Sequence, residues 1–470
     1  MTPFRERAPG AERIILESCR RERRRLILSF RVDQRRFRKV YHYRDTDLFH
    51  LEARYGEEFL QRIYFHIMAM EAFPLASFRP RVLDPGPFGR FRTAAFENLW
   101  RTVFRKAGAQ WRYENGLPRY AGPDIAEAPA PFSPAPLTLE HGPVEALAFC
   151  GGGKDSLLAL KLLEQGGVSF ASYHYSHSCY GPSSGQERLT GQVLDLTGAV
   201  CRHGLDIEDS LDRAGTSGLL GEYGARSLLC AETPISVFGA LPVVLQHCYR
   251  YIVVGHERSA DSHNLVWSRT GEPINHNWGK SSEAESLIDG YIRTHLISNL
   301  TYCSVLQPVY DVVIFNMLRP HQRAVAATHS CNIRKPWCGA CAKCAYVGLS
   351  FMAYLPGDTV GRIFPENILD QPSNQPIFRQ LLGLESHKPF ECVGEIGEAR
   401  LAMEICARRG TPGRAVRMYR GEAYPREIAA DLGRYLSTAS SAMPPALERR
   451  ILPLLRTGAS NARDYIARFI

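Results

Sequence analysis

The sequence predicts an α/β fold with a parallel sheet, an α+β N-terminal domain and a helical C-terminal region. From Val144 onward, short apolar runs alternate with helix-like stretches, and a glycine-rich loop, Gly151–Ser156, joins the first run to the first helix. Such alternation implies parallel strands linked by crossover helices. The 470 residues are 45% hydrophobic, which is enough for two or three packed domains.

The first 120 residues predict the α+β domain. Apolar runs at Ile14–Leu16, Leu26–Phe30 and Val40–Tyr43 lie between charged turns and predict strands. Apolar residues then recur at helical spacing over about 47–70, and a second helix is expected over about 94–107.

A stretch rich in alanine and proline, residues 121–143, marks a domain boundary. Proline lacks an amide proton and fixes φ, so this segment is expected to be extended and to stay out of any central strand. The chain is thus divided into a domain over 1–120, a linker over 121–143, a catalytic domain over 144–370 and a helical region over 371–470.

Within the catalytic domain the elements follow from the apolar pattern. Strands are predicted over Val144–Phe149, Val168–Tyr175 and Tyr251–Val254, and helices over Ser156–Leu163, Gln186–Thr197 and Pro234–Gln246. Residues 283–355 are expected to be mainly helical around a cysteine-rich loop. Helices are also expected beyond Asp370, including Ile396–Arg408 and Met443–Leu455.

The net charge of +9 comes largely from two arginine-rich stretches, Arg20–Arg25 and Arg35–Lys39. We interpret them as a solvated strand or hairpin face; the alternative is a surface that attracts an acidic partner. Aromatic residues are not interleaved as in RNA readers, so nucleic acid is not the expected partner. With neither a secretory signal nor an apolar run of membrane-spanning length, a cytoplasmic location is expected.

The strongest local signal is the segment Cys150-Gly151-Gly152-Gly153-Lys154-Asp155-Ser156. Glycines let the backbone approach phosphate oxygens, and amides at the start of the following helix complete an anion site. Lys154 supplies charge, Ser156 a hydroxyl, and Asp155 a carboxylate suited to Mg²⁺. The segment resembles the loop of the PP-loop ATP pyrophosphatase superfamily, with Gly151 where that pattern has serine. ATP is therefore the expected nucleotide, within an adenine nucleotide α-hydrolase-like core.

A second signal is a cluster of four closely spaced cysteines, Cys331, Cys338, Cys341 and Cys344. Four thiolates at this spacing can enclose a structural Zn²⁺ in a tetrahedron. An iron–sulfur cluster, which also takes four cysteines, remains the alternative. The thirteen cysteines are odd in number and irregularly spaced, which does not indicate a disulfide framework.

Further motifs identify the chain as similar to the UDP-N-acetyl-α-D-muramoyl-L-alanyl-L-glutamate epimerases. They are Glu257-Arg258-Ser259-Ala260, Gly271-Glu272, Asn275-His276-Asn277-Trp278, Tyr291, the segment Trp337–Cys344, and the segment His387–Glu395. The resemblance spans about 144–395. It implies ATP-dependent inversion of a terminal L-Glu through a carboxyl adenylate, with release of AMP and pyrophosphate.

The resemblance and the expected loop after the Tyr251–Val254 strand together suggest the site residues. The carboxyl end of a parallel strand is where ligands bind. Candidates for proton transfer or catalysis are Asp155, His256, Glu257 and His276, with Cys179 as a further candidate base. Candidates for substrate binding are Arg258, Asn275 and Lys280. The expected partner is a UDP-linked muramoyl dipeptide, and the oligomeric state is left open.

Three other functions are weighed. One is an adenylating ligase resembling 7-cyano-7-deazaguanine synthase, which needs an ammonia source. Another is a tRNA-modifying enzyme such as a thiolase or lysidine synthetase, which the basic N-terminal region would suit. The third is a nucleotide-binding protein without catalysis, which the intact Asp155-Ser156 pair disfavours.

Overall fold

The computed structural model describes residues 9–127, 132–211, 216–421 and 428–470. The predicted linker therefore includes four residues, 128–131, that lie outside the described part of the chain. Within that part, no helix combines the length and the apolar character needed to cross a lipid bilayer.

The described strands form one large sheet and one small hairpin. The strands are β1 Arg13–Arg21, β2 Arg25–Val32, β3 Arg35–Tyr43, β4 Val82–Asp84, β5 Asp124–Ile125, β6 Ala146–Phe149, β7 Phe170–His177, β8 Arg202–Asp209, β9 Tyr251–Val254, β10 Leu265–Trp267, β11 Glu272–Ile274 and β12 Thr301–Ser304. The hairpin pairs β10 with β11.

Helices occur throughout the chain after β3, and they form most of the structure beyond residue 310. They are α1 Leu48–Tyr55, α2 Glu57–Glu71, α3 Ala94–Ala107, α4 Ala109–Glu114, α5 Lys154–Gln165, α6 Ser183–Leu194, α7 Thr216–Glu222, α8 Glu232–Gly239, α9 Leu241–His247, α10 Ser282–His295, α11 Asp311–Met317, α12 Gln322–Ala326, α13 Ala342–Tyr354, α14 Gly357–Ile363, α15 Gln375–Leu381, α16 Ile396–Arg408, α17 Arg414–Gly421, α18 Ile428–Tyr435 and α19 Pro445–Ile466.

The large sheet has ten strands in the order β12-β9-β6-β7-β8-β3-β2-β1-β4-β5. Its first five strands are parallel to one another, as the alternation of apolar runs and helices predicted. The strands β8, β3, β2 and β1 are paired antiparallel, and β4 and β5 return to parallel pairing at the far edge. The α/β class with a largely parallel sheet is thus confirmed.

Most predicted elements occur close to their predicted bounds. The strand at Tyr251–Val254 and the helix at Ile396–Arg408 match residue for residue. The helix expected over 47–70 is interrupted at Gly56, whose φ of 86° is the left-handed conformation that glycine adopts without strain. The expected helix Pro234–Gln246 is divided into α8 and α9 around Ala240. Four strands within the predicted catalytic domain, β8, β10, β11 and β12, were not predicted.

The N-terminal strands and the predicted catalytic domain share one sheet, because β3 pairs with β8. A buried ion cluster lies where these two strands pair. The Lys39 ammonium contacts the carboxylates of Glu71, at 2.5 Å, and Asp209, at 2.9 Å. The Lys39 side chain is only 1% exposed. The interpretation of Arg35–Lys39 as a solvated face is therefore wrong for Lys39, although the three arginines of this stretch are exposed.

The arginines of the N-terminal strands are paired with acids of the same chain. Examples are Arg23 with Asp47 at 2.7 Å, and Arg35 with Glu222 at 2.6 Å. Exposed pairs of this kind contribute little to stability, but they do offset the positive charge that the sequence displays.

Candidate functional site

The phosphate-loop candidate, Gly151–Ser156, leaves the carboxyl end of β6 and enters α5 at Lys154. Gly152 has a φ of 80°, and a Cβ at this position would lie 2.1 Å from the His329 ring. The His329 amide donates a hydrogen bond to the Gly152 carbonyl at 2.8 Å. A Cβ on Gly151, by contrast, would have no atom within 4 Å. The loop is thus held tightly from one side and is open at Gly151.

Lys154 is buried beneath the loop rather than extended into solvent. Its ammonium contacts the carboxylates of Asp155 and Asp311, and Asp311 accepts a second hydrogen bond from the Tyr346 hydroxyl at 2.9 Å. Burial alone would lower the pKa of Lys154, but the two carboxylates outweigh it and raise that pKa. Lys154 therefore stays charged and fixes the orientation of Asp155, whose own pKa is raised by burial.

A cavity of about 260 Å³ opens in front of the loop, where Phe149, Tyr175 and Val254 mark the carboxyl ends of β6, β7 and β9. Ligands bind at this edge in open parallel sheets. The charged side chains lining the cavity are Lys154, Lys280, Lys335 and Lys343 together with Asp155, Glu232 and Glu257. Because Lys154 is paired with carboxylates, Lys280, Lys335 and Lys343 remain as the cations that can attract an anionic ligand.

The predicted residues His256 and Glu257 both line this cavity, directly after β9. His256 is 9% exposed, its amide donates to Ser304 Oγ at 2.8 Å, and its Nδ1 has no hydrogen-bond partner among the described residues. Burial, and then the nearby charge of Lys280, lower the pKa of His256 to about 3, so its imidazole is neutral near pH 7. Glu257 is 5% exposed.

The structure brings Lys280 and His276 together on a thiol that the sequence did not single out, Cys392. The Lys280 ammonium lies 3.2 Å from Cys392 Sγ, and His276 Nε2 lies 3.9 Å from the same sulfur. His276 Nδ1 contacts Gln110 Oε1 at 2.6 Å, which orients the ring. Although burial opposes it, the charge of Lys280 is the main cause that lowers the pKa of Cys392 to about 6. Lys280 and Cys392 line the cavity, with His276 beside them.

Two predicted substrate-binding residues are engaged elsewhere in this structure. The Arg258 guanidinium lies 5.0 Å from the centre of the Tyr310 ring. The Asn275 side chain donates to the Ala260 carbonyl and accepts from the Asn277 amide, both at 2.8 Å. Neither residue is among those lining the cavity, and their roles in binding stay predictions. Cys179, the further candidate base, is exposed and lies just beyond β7.

The four predicted metal ligands, Cys331, Cys338, Cys341 and Cys344, converge, with all four sulfur atoms within 4.8 Å of one another. Thiolates about 2.3 Å from zinc form a tetrahedron with edges of about 3.8 Å. The Cys331–Cys341 and Cys338–Cys344 sulfur pairs are both 3.8 Å apart. This spacing fits a single metal ion rather than a cluster of several iron atoms.

The four-cysteine loop also forms part of the cavity wall. Lys335 lies between its first and second cysteines, Lys343 lies just before its last, and both line the cavity. His329, which holds the phosphate loop, precedes Cys331 by two residues. A metal bound here would therefore fix the wall of the cavity in front of the phosphate loop.

Sequence reasoning missed Asp311, His329 and Cys392 because each is distant along the chain from the residues that it contacts. Asp311 and His329 contact the phosphate loop, and Cys392 contacts Lys280 and His276. Cys392 lies in the segment His387–Glu395, which carries part of the family resemblance. That segment shows no ligand-like spacing, so only the resemblance could have drawn attention to it.

Comparison with known proteins agrees with these motifs. Residues 232–305 match the model of the MurL N-terminal domain, and residues 323–420 match that of the MurL C-terminal domain. A relative from Xanthomonas oryzae pv. oryzae, named UDP-N-acetyl-alpha-D-muramoyl-L-alanyl-L-glutamate epimerase, is 30% identical over 357 residues, covering 73% of this chain and 74% of the relative.

Two further relatives bear the same name. The protein from Micromonospora sp. is 28% identical over 73% of both chains, and that from Salinispora tropica is 28% identical over 72% of this chain and 71% of its own. No solved structure shows significant similarity to the chain. With a 30% identical relative aligned over nearly three quarters of both sequences, the chain belongs to the UDP-N-acetyl-alpha-D-muramoyl-L-alanyl-L-glutamate epimerase family.

Proposed function

We propose that this protein is an ATP-dependent epimerase that inverts the terminal L-Glu of UDP-MurNAc-L-Ala-L-Glu to D-Glu. The proposed route passes through a carboxyl adenylate and releases AMP and pyrophosphate. The observation that carries it is the pairing of an open glycine loop with four lysines around one cavity, in a chain whose relatives are named as this epimerase.

The cavity chemistry suits a triphosphate. Phosphate oxygens can approach the bare backbone at Gly151, where a Cβ would meet nothing, and the amides at the start of α5 face the same region. Lys335 and Lys343 supply positive charge from the opposing loop. Displaced pyrophosphate would remain held by these groups while the adenylate forms.

Activation explains why an epimerase needs ATP. An α-proton beside a carboxylate is hard to remove, because the resulting anion would gain a second negative charge next to the first. Adenylation neutralises the carboxylate and makes its carbonyl an acceptor for the electron pair of the broken Cα–H bond. A side-chain base can then take the proton. Return of a proton to the other face and hydrolysis of the adenylate give D-Glu and AMP.

Two metals fit the residues present. The Asp155 carboxylate lines the cavity beside the loop and suits a Mg²⁺ that also binds phosphate oxygens, since Mg²⁺ commonly uses one or two carboxylates plus phosphates. Mg²⁺ would supply charge neutralisation for the departing pyrophosphate. The four cysteine sulfurs suit a structural Zn²⁺ that stabilises the cavity wall.

The test is incubation with ATP, Mg²⁺ and UDP-MurNAc-L-Ala-L-Glu in D₂O. We expect D-Glu after acid hydrolysis, deuterium at its α-carbon and at least one AMP for each inversion. Asp155→Asn should abolish ATP-dependent turnover while circular dichroism shows an unchanged fold. Inversion at an undiminished rate without ATP would contradict the proposal.

The same assay separates the ligase from the epimerase, and a tRNA-binding measurement separates the tRNA-modifying enzyme. A ligase resembling 7-cyano-7-deazaguanine synthase would form AMP only with ammonium and would leave the chirality of glutamate unchanged. A tRNA-modifying enzyme would bind tRNA with a steep dependence on salt concentration. N-terminal arginines are paired with acids of the same chain, as Arg23 is with Asp47. This pairing weakens the case for a tRNA-modifying enzyme.

A further inference from the structure

We propose that Cys392 is a catalytic residue of the epimerisation, with its thiolate taking the α-proton of the activated glutamate and Lys280 and His276 holding that thiolate in place. This inference rests on the proposed function and deepens it, because the sequence motifs left the identity of the base open. Four observations support it.

The first observation is position. Cys392 lies on the segment between α15 and α16, yet it lines the same cavity as Asp155, Lys154 and the open phosphate loop. A glutamyl carboxylate that reaches an ATP bound at this loop brings its α-carbon, one bond away, into this cavity. The thiol is therefore placed where a base must act.

The second observation is the set of partners around the sulfur. The Lys280 ammonium lies 3.2 Å from Sγ, and His276 Nε2 lies 3.9 Å from it on another side. The contact of His276 Nδ1 with Gln110 Oε1, at 2.6 Å, orients the ring with Nε2 toward the sulfur. The sulfur thus has a cation that stabilises the thiolate and an imidazole contact that holds it in place.

The third observation is the charge around the thiol. Burial raises the pKa of a thiol, but the charges of Lys280 and Lys343 and the contact with His276 outweigh it and set the pKa of Cys392 at about 6. Cys230, which is exposed, also interacts with Cys392 through space. The Cys392 thiolate is therefore the main form at pH 7.

The fourth observation is an unpartnered polar atom of a residue that lines the same cavity. His256 is 9% exposed, and its Nδ1 lacks a hydrogen-bond partner among the described residues. A buried polar atom left unpaired is costly, and a ligand in the cavity would satisfy it. The cavity beside Cys392 is thus built to receive a polar substrate.

The proposed proton transfer breaks and forms one bond at each step. The Cα–H bond of the adenylated glutamyl group breaks, the S–H bond of Cys392 forms, and the electron pair moves into the acyl carbonyl as an enolate. A proton from a second group of the cavity then forms a new Cα–H bond on the other face as the carbonyl is restored. Before the next turnover Cys392 loses its proton to solvent and the second group regains one from solvent, so no oxidant or reductant is needed.

The first experiment compares two partial reactions in Cys392→Ser. Exchange of pyrophosphate into ATP in the presence of the dipeptide substrate measures adenylation alone. We expect this exchange to stay within about threefold of the wild-type rate, whereas deuterium incorporation at the α-carbon in D₂O falls at least 100-fold. Cys19→Ser is the matched control, because Cys19 lies on β1 away from the cavity and should leave both rates unchanged.

The second experiment needs no variant to fold. Alkylation of the zinc-loaded wild-type protein by iodoacetamide is followed at each cysteine by peptide mass spectrometry across pH 5–9. Cys392 should react with a midpoint near pH 6, should be protected by ATP with substrate, and should shift to a higher midpoint in Lys280→Met. Cys19, whose pKa burial raises to about 12, should remain unreactive through this range.

The outcomes distinguish the two levels of the proposal. If wild-type protein shows no pyrophosphate exchange with the dipeptide, the proposed function fails. If wild-type protein shows exchange but Cys392→Ser retains deuterium incorporation, the role of Cys392 fails while the function stands. An alkylation midpoint of Cys392 above pH 8 would likewise overturn its role as a thiolate base.

Discussion

Substitution of Gly152 by alanine tests the architecture of the phosphate loop directly. Gly152 has a φ of 80°, in the left-handed region that residues with a Cβ rarely adopt. Its added methyl group would lie 2.1 Å from an atom of the His329 ring, well inside van der Waals contact. Either His329 or the loop must move, and the hydrogen bond between the His329 amide and the Gly152 carbonyl would be strained.

The magnitude follows from these two effects. The left-handed conformation costs an alanine about 1–2 kcal/mol. Displacing the ring and weakening one hydrogen bond adds about 1–2 kcal/mol. Together they amount to about 2–4 kcal/mol against the productive loop, which corresponds to about a 30- to 900-fold fall in ATP-dependent turnover.

The assay is AMP formation at saturating ATP, with the melting temperature measured alongside. Gly290→Ala is the matched control: Gly290 lies on α10, does not line the cavity, and an added Cβ there meets nothing within 4 Å. We expect the control to retain activity within a few-fold. Turnover of Gly152→Ala within threefold of wild type would refute the conclusion that the close contact between Gly152 and His329 holds this loop in place.

Three further predictions concern stability and metal content. Lys39→Met should lower the free energy of unfolding by about 3–5 kcal/mol, because it leaves the buried carboxylates of Glu71 and Asp209 without a partner. The control Arg35→Met, at an exposed ion pair, should lower it by less than about 1 kcal/mol. Denaturant melts measure both, and equal losses would contradict the conclusion that the Lys39 ion cluster stabilises the pairing of β3 with β8. Cys344→Ser should lower bound zinc, measured by mass spectrometry of the purified protein, from about one ion per chain to a small fraction; an unchanged zinc content would exclude the four-cysteine site. Burial raises the pKa of Glu285 to about 8. Between pH 4.5 and 8 the folded chain therefore keeps a proton that the unfolded chain releases. The free energy of unfolding should fall by on the order of 3 kcal/mol as pH rises through that window. Glu285→Gln should flatten this dependence in melts from pH 5 to 8.5, and an unaltered slope would show that other groups cause it.

The sequence predicted those parts of the fold whose apolar pattern is regular. The strand Tyr251–Val254 is apolar at every position, and all four of its residues are buried between helices and neighbouring strands. The strand β8 was missed because Arg202, Asp206 and Glu208 interrupt its apolar residues. Its partners include the charged strand β3, so pairing across the sheet, rather than local hydrophobicity, defines it.

The site was predictable where its residues are close together in the chain. Consecutive glycines and the Cys-x₂-Cys-x₂-Cys spacing are local patterns, and the structure shows a loop open at Gly151 and converging sulfur atoms at those places. Cys392, by contrast, lies 112 residues from Lys280 and 116 from His276. A lowered thiol pKa arises from such contacts through space, so it cannot be recognised from a single cysteine in a sequence.

The pairing of β3 with β8 bears on how the chain can be divided for experiments. A fragment that begins near Val144 would leave Leu205–Asp209 of β8 as an unprotected edge, with free amide and carbonyl groups. Edges of this kind invite self-association between copies. Such a fragment would also leave the Asp209 carboxylate buried without Lys39. Expression trials of the part that begins near Val144 should therefore keep the three N-terminal strands, or replace Asp209 and add charge along β8.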